Sequence, residues 1–260
     1  MPLRSFGGRG IFTAEVSRAV LEGEADIAVH SAKDLPSSSL LVAEGLVIGA
    51  VPERGDPRDA LVGRRLEELP PGATIATGSV RRRAQLAWLR PDLGFTELRG
   101  NIATRLERIP PRGAVVVALV ALQRLDLEDE VGEVLEVLEP ETMLPQVGQG
   151  SLAVECRADD HELRALLAAH VNHGPSLRAL TAERAFLATL GGGCDAPVGA
   201  LATSDPDEAG DLRLEGLVAS ADGHVVARLT RSGSDPDALG AEVAGQMMRR
   251  VGSLVGPEAL

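Results

Sequence analysis

Four short stretches of the chain carry residue types able to do chemistry. In His30-Ser31-Ala32-Lys33-Asp34, charged side chains follow directly on the apolar run Ile27-Ala28-Val29. An aspartate at the mouth of a buried strand can stabilise a developing cation or move protons. The plainer alternative, a capping aspartate beside a solvated lysine, is common in loops and is favoured by the pattern alone. In Thr77-Gly78-Ser79-Val80-Arg81-Arg82-Arg83, a glycine turn opens a helix. Free N–H groups, hydroxyls and guanidinium groups there would make an anion receptor, although a solvated basic face fits equally well. Arg99-Gly100-Asn101-Ile102-Ala103-Thr104-Arg105, with Arg124 further on, again sets arginines after a strand. Together, Arg81, Arg82, Arg83, Arg99, Arg105 and Arg124 point to a small polyanionic ligand; at least one, Arg83 by choice, is assigned to an external ion pair. Finally, Gly191-Gly192-Gly193-Cys194 leaves a thiol sterically open. Core packing explains three glycines before a cysteine poorly, so Cys194 is read as reactive. Cys156 lies in an apolar strand and is read as buried.

The elements that must position these residues follow from periodicity. Residues 11–22 have helical spacing with Gly23 as the stop. Strands are expected at 27–29, 46–51, 73–76, 95–98, 114–119 and 152–156, with helices at 81–90, 102–109, 159–171 and 175–190. The segment from 119 to about 138 is expected to be largely helical. In the helix at 81–90, Leu86, Trp88 and Leu89 are available to the packed face. Strand–helix alternation predicts parallel sheets with crossover helices. In the C-terminal third the pattern changes to strands at 212–218 and 224–229 around an Ala221-Asp222-Gly223 hairpin, then a helix at 235–251. Glu53 to Pro57 reads as an interdomain hinge, and Met143 to Gly150 as a Gly/Pro-rich connection.

Composition narrows the function. The chain has 260 residues and 44% hydrophobic content, enough for two or three domains. Its net charge of −12 argues against a nucleic-acid binder, which needs a basic face, and 2% aromatics make base-stacking platforms unlikely. Among the 26 lysines and arginines Lys33 is the only lysine, in a chain biased toward arginine. Two cysteines make no disulfide framework. No apolar run nears the ~20 residues of a membrane span, and the start has no signal-peptide core, so a cytoplasmic protein without membrane contact is expected. His161, His170 and His173 lack the partners of a metal site, and none is expected. Gly7-Gly8-Arg9-Gly10 lacks the Lys-Ser/Thr ending and preceding strand of a phosphate loop.

The stretches GGRGIF (7–12), DIAVHSAKDLP (26–36), DPRDAL (56–61), ATGSVRR (76–82), LRGNIATRL (98–106), LPQVGQGSLAVECR (144–157) and ERAFLATLGGGCDAPVGA (183–200) occur in order along nearly the whole chain. Together they resemble the porphobilinogen deaminase (hydroxymethylbilane synthase) family of tetrapyrrole biosynthesis. The resemblance implies an α/β fold with two domains like type II periplasmic binding proteins plus a C-terminal α+β domain. Their bounds would be 1–52 completed by 151–168, then 56–146, then 172–260. It implies a dipyrromethane cofactor held by a thioether on Cys194, four porphobilinogens added stepwise with loss of ammonia, and hydrolysis to hydroxymethylbilane. Asp34 matches the catalytic aspartate, which also contacts the cofactor. Ser31, Lys33, Thr77, Ser79, Arg81, Arg82 and Arg105 match cofactor-binding positions, and Arg9, Arg99, Arg105, Arg124 and Gln149 match substrate-binding ones. The partner implied is porphobilinogen alone, with the protein a monomer.

This chain also departs from the family pattern. Against a domain norm of ~100–150 residues, about fifty residues that family members carry before the position of Met1 are missing, including an arginine and serine that hold carboxylates. Ser5 replaces a frequent lid lysine, Arg9 a frequent lysine, and Ala121 a usual glycine. Two alternatives to the transferase remain: a two-lobed anion-binding module without catalysis, and a truncated or degenerate family member.

Overall fold

The computed structural model describes residues 10–36, 44–191 and 196–255. Arg9, Ser5 and Cys194 therefore lie outside the described residues. Helix α1 (Gly10–Leu21) stops at Gly23, whose φ of +77° suits glycine, and leads into β1 (Ile27–Ser31). A 3₁₀ turn follows over Ala32–Asp34, then β2 (Leu46–Ala50). The next stretch holds β3 (Asp59–Val62), β4 (Thr74–Ala76), α2 (Val80–Leu89), β5 (Gly94–Thr96), α3 (Ile102–Leu106), β6 (Ala114–Ala118), α4 (Leu119–Gln123), α5 (Glu128–Val131) and β7 (Leu135–Leu138). The remainder is β8 (Leu152–Arg157), α6 (His161–His170), α7 (Gly174–Leu190), β9 (Val198–Ser204), β10 (Leu212–Ala219), β11 (Val226–Gly233) and α8 (Pro236–Val255).

These strands form three sheets in a mixed α/β architecture, ordered β1-β8-β2, β5-β4-β6-β3-β7 and β11-β10-β9. The expectation of parallel sheets is corrected: among the described strands only β4 runs parallel to its neighbours, β5 and β6. β3 is antiparallel to β6 and β7, and β8 returns antiparallel between β1 and β2. Alternation of strands and helices does not fix direction when a strand such as β3 enters from an extended segment rather than a helix.

Further expectations need amendment. The helical segment to 138 breaks at Asp126 (φ +54°) and Gly132 (φ +46°), after which Leu135–Leu138 pairs with β3 as β7. Trp88 and Leu89 are 53% and 43% exposed rather than packed. The buried face of α2 is Arg81, Arg82, Ala84, Gln85 and Leu86, because Asp59 draws the two arginines inward. The C-terminal hairpin forms, but β11 starts at Val226. Ser220 and Asp222 cap a longer turn, in which the Val225 N–H donates to Ser220 Oγ (2.9 Å) and the His224 N–H to Asp222 Oδ1 (3.0 Å). α1 buries Val20 but leaves Val16 and Leu21 exposed, as β1 does Ile27 and Val29.

Each sheet has its own apolar core. The third packs beneath α7 and α8, with Phe186, Leu214 and Met247 fully buried; one such side chain stabilises by about 1.5–3 kcal/mol. α8 approaches α7 so closely that a Cβ on Gly240 would stand 2.4 Å from the Ala182 carbonyl oxygen. The sheets are joined by a few buried groups. Glu183, on α7 and fully buried, accepts from Arg54 Nη1 (2.6 Å), the Gly148 N–H (2.7 Å) and the Ala202 N–H (2.9 Å). Gln85 on α2 accepts from the Leu144 N–H (2.8 Å) and from Arg228 of β11 (3.1 Å). The hairpin tip rests on α2: a Cβ on Gly223 would lie 2.6 Å from the Ala84 carbonyl oxygen.

Candidate active site

The 3₁₀ turn that carries Lys33 and Asp34 is fixed from several sides. The Ala32 N–H donates to the Ser151 carbonyl (3.0 Å), and Gln146 Nε2 reaches the Lys33 carbonyl at 3.4 Å. Arg184 of α7 donates to the Pro36 carbonyl at 2.7 Å. Gly148 (φ +72°) comes so near that a Cβ would meet the Lys33 nitrogen at 3.0 Å, which leaves room only for glycine. Across from this turn, α2 begins with Ser79, whose hydroxyl accepts from the Arg82 N–H as an N-cap. The Ser79 N–H donates to Thr77 Oγ1 at 3.2 Å.

Between the two lies a cleft of about 420 Å³. Lys33 and Asp34 line it on one side, and Ser79, Arg82, Asn101 and Arg105 on the other. Asp34 is exposed and is the only carboxylate among the described lining residues. Burial and the nearby Arg82 pull the Lys33 ammonium down to about 8, with Asp34 acting in the opposite sense. Arg105 also donates through Nε to the Gly100 carbonyl (2.8 Å).

The remaining residues singled out in the sequence stand behind or beside the cleft, and Arg82 reaches back to the same partner as one of them. Arg81 (3% exposed) and Arg82 (6%) both grip Asp59, Arg81 through Nη2 and Arg82 through Nη2, each at 2.7 Å. Arg81 also donates to the Leu144 carbonyl and does not line the cleft. Gln149, fully buried, donates to the Pro57 carbonyl (2.7 Å) and Asp59 Oδ1 (2.9 Å). Burial raises the Asp59 carboxyl, but Arg81, Arg82 and Gln149 outweigh it and hold the group down at about 2. Arg124 and Ser31 line a second hollow of about 240 Å³ that shares Lys33, Ala121 and Leu125 with the cleft. Thr77 faces a third, of about 220 Å³, beside Ser79 and Arg83. The arginine held in an external ion pair is Arg99, 84% exposed and 2.6 Å from Glu97, rather than Arg83, whose guanidinium lies 5.8 Å from the Phe95 ring centroid. α7 ends at Leu190 and is capped by Gly191 (φ +68°), three residues before Cys194 in the sequence.

Asp59 and Arg184 are the residues that sequence reasoning missed. An aspartate inside an otherwise apolar strand was the available signal for the first, since a buried carboxylate requires a cation. The donor set suits a carboxylate-bearing pyrrole group: cations for its acid arms, and one exposed carboxylate for its N–H groups.

Cations from the turn after β1 and from α2 and α3, converging on one exposed carboxylate, define a site for chemistry on a small polyanion. The particular family follows from comparison with known proteins. The model described as porphobilinogen deaminase, dipyromethane cofactor binding domain, matches residues 1–165, and that of the porphobilinogen deaminase C-terminal domain matches residues 177–249. The chain belongs to the porphobilinogen deaminase family, and its first domain by that match is the one that binds dipyrromethane. It is 47% identical over 250 residues to the porphobilinogen deaminase of Bacillus pumilus, covering 94% of this chain and 78% of the relative. With that of Roseiflexus sp. it shares 45% identity, covering 96% and 82%. With that of Bacillus subtilis the values are 43%, 94% and 77%.

Proposed function

We propose that this chain is a transferase that condenses four porphobilinogens head to tail with release of ammonia and frees hydroxymethylbilane by hydrolysis. The observation that carries the reading is the position of Asp34, the one carboxylate among the described lining residues of a cleft to which Lys33, Arg82 and Arg105 also contribute. Dipyrromethane, when bound through Cys194, supplies the pyrrole end to which the first substrate ring is joined. Ser79, Lys33, Arg82 and Arg105 would hold its acid arms, with Ser31, Thr77 and Arg81 supporting this wall. Arg81 and Gln149 act from behind, by fixing Asp59 and through it the guanidinium of Arg82.

Asp34 accepts hydrogen bonds from the substrate pyrrole and stabilises the positive charge that grows on it as the C–N bond to ammonia breaks. That charge needs a fixed carboxylate, and the turn described above holds one in place. Every substrate ring brings two further carboxylates into the cleft, and the arginines offset their repulsion. Arg9 and Arg124 serve the incoming ring in this reading, as does Arg99, which would exchange its exposed partner Glu97 for a substrate carboxylate.

The three-domain reading, with residues 151–168 returning to complete 1–52, is supported by the pairing of β8 with both β1 and β2. The sheet orders likewise support bounds at 56–146 and 172–260, since β3 to β7 pair only with one another among the described strands, as do β9 to β11. Among the described residues no helix is long and apolar enough to cross a membrane.

Two measurements test the function. The mass of the intact protein should exceed its sequence value by a cofactor adduct that is lost in Cys194→Ala. Asp34→Ala should lower ammonia release from porphobilinogen at least about a hundredfold, the scale of a lost transition-state electrostatic contact. A chain that neither gains mass nor consumes porphobilinogen would overturn the proposal.

A further inference from the structure

The second hollow contains a residue to which no role has yet been given. One wall comes from the first sheet and its turn, with Ser31, Lys33 and Ser151. The opposite wall comes from α4 and the residues just after it, with Val120, Ala121 and Arg124. Two cations and two hydroxyls line it, and no carboxylate does. Ser151 is 1% exposed, and its Oγ has no hydrogen-bond partner among the described residues. A buried hydroxyl left so is a net cost, and native proteins leave few of them. Arg124 donates from Nη2 to the Gly150 carbonyl at 2.9 Å and has no ion-pair partner among the described residues of a chain with net charge −12. A volume of about 240 Å³ is roughly eight times the ~30 Å³ share of one water, enough for a short carboxyalkyl arm. Val120, Ala121 and Leu125 offer apolar surface to the methylenes of such an arm.

We infer that Ser151 is a specificity-determining residue, whose hydroxyl donates to a substrate carboxylate held between Lys33 and Arg124. This deepens the function proposed above and rests on it for the identity of the acid, an acetate or propionate arm of porphobilinogen. The site spans two sheets, so the arm would bridge them, and the serine proton would meet a need that neither cation fills. Oγ–H is a single directional donor, whereas the cations mainly supply charge.

Succinate titration of the purified protein, with porphobilinogen turnover measured on the same preparations, tests the inference. Ser151→Ala should weaken succinate binding and raise the KM for porphobilinogen about tenfold, the effect of one hydrogen bond to a charged group. kcat should change less than about twofold, because the contact is uniform through the reaction. Ser151→Thr, which keeps the hydroxyl, should recover most of the affinity. A serine that is merely a packing defect predicts the reverse: alanine removes an unsatisfied group, raises Tm, and leaves both constants where they were. That result would overturn the subsite while turnover by the unaltered protein upheld the enzyme. Succinate binding that depends on Ser151, in a protein that never consumes porphobilinogen, would keep the subsite and sink the enzyme reading.

Discussion

Lys33 shows how one residue can be legible and yet hold a property that only the fold creates. Its singularity in an arginine-biased chain marked it out, but its ammonium is lowered to about 8 by burial and by Arg82. A group lowered in this way carries its charge below that value and loses it as the pH climbs through it. A carboxylate ligand favours the charged form, so affinity should fall as pH rises from about 7.5 to about 9. Lys33→Arg, whose charge persists across that range, should flatten the profile of KM for porphobilinogen against pH. An equally steep profile in the variant would assign the titration to another group. Arg81 and Gln149 teach the converse lesson. Both match ligand-contact positions of the family, and within the chain their hydrogen bonds run to Asp59 and to backbone carbonyls. A sequence motif does not say on which side of a wall a guanidinium points.

At the level of elements, what was legible were the long periodic or strongly apolar segments: α1, β6, α6, α7 and α8 all fall within a few residues of their expected ranges. β3 and β7 escaped for a physical reason. Each is four residues long, and each acquires strand identity only by pairing with the other and, for β3, with β6. Strand direction escaped too, because it is set by pairing rather than by local pattern. The contact between α7 and α8 was equally invisible, since Gly240 looks like an ordinary helix glycine. Its lack of a side chain lets the backbones meet, and a Cβ there would fall 2.4 Å from one backbone oxygen and 2.6 Å from the Ala185 Cβ. Gly240→Val should therefore destabilise the protein by roughly 1–3 kcal/mol or more through overpacking, despite its gain in apolar surface. Urea unfolding checks this, and an unchanged midpoint would mean that the helices can separate freely.

Across the whole molecule, Glu183 is the joint through which the sheets share stability. It meets Arg54 from the extended segment before β3, Gly148 from the connection before β8, and Ala202 on β9. Removing one partner of a buried pair leaves an uncompensated charge, so Glu183→Ala should cost about 3–5 kcal/mol. Because the lost bonds lie between sheets, calorimetry should show a broader transition, or two, in place of one. A single sharp transition with unchanged Tm would show that the apolar cores alone couple the parts. The other joint, where the hairpin tip at Gly223 sits on α2, lies beside Trp88. The sequence contains no tyrosine and this one tryptophan, so near-ultraviolet excitation addresses a single fluorophore. With its ring half in water, it should emit toward the red. Any event that lifts the C-terminal hairpin from the helix should register as a change in that emission, which gives the enzyme a built-in optical gauge.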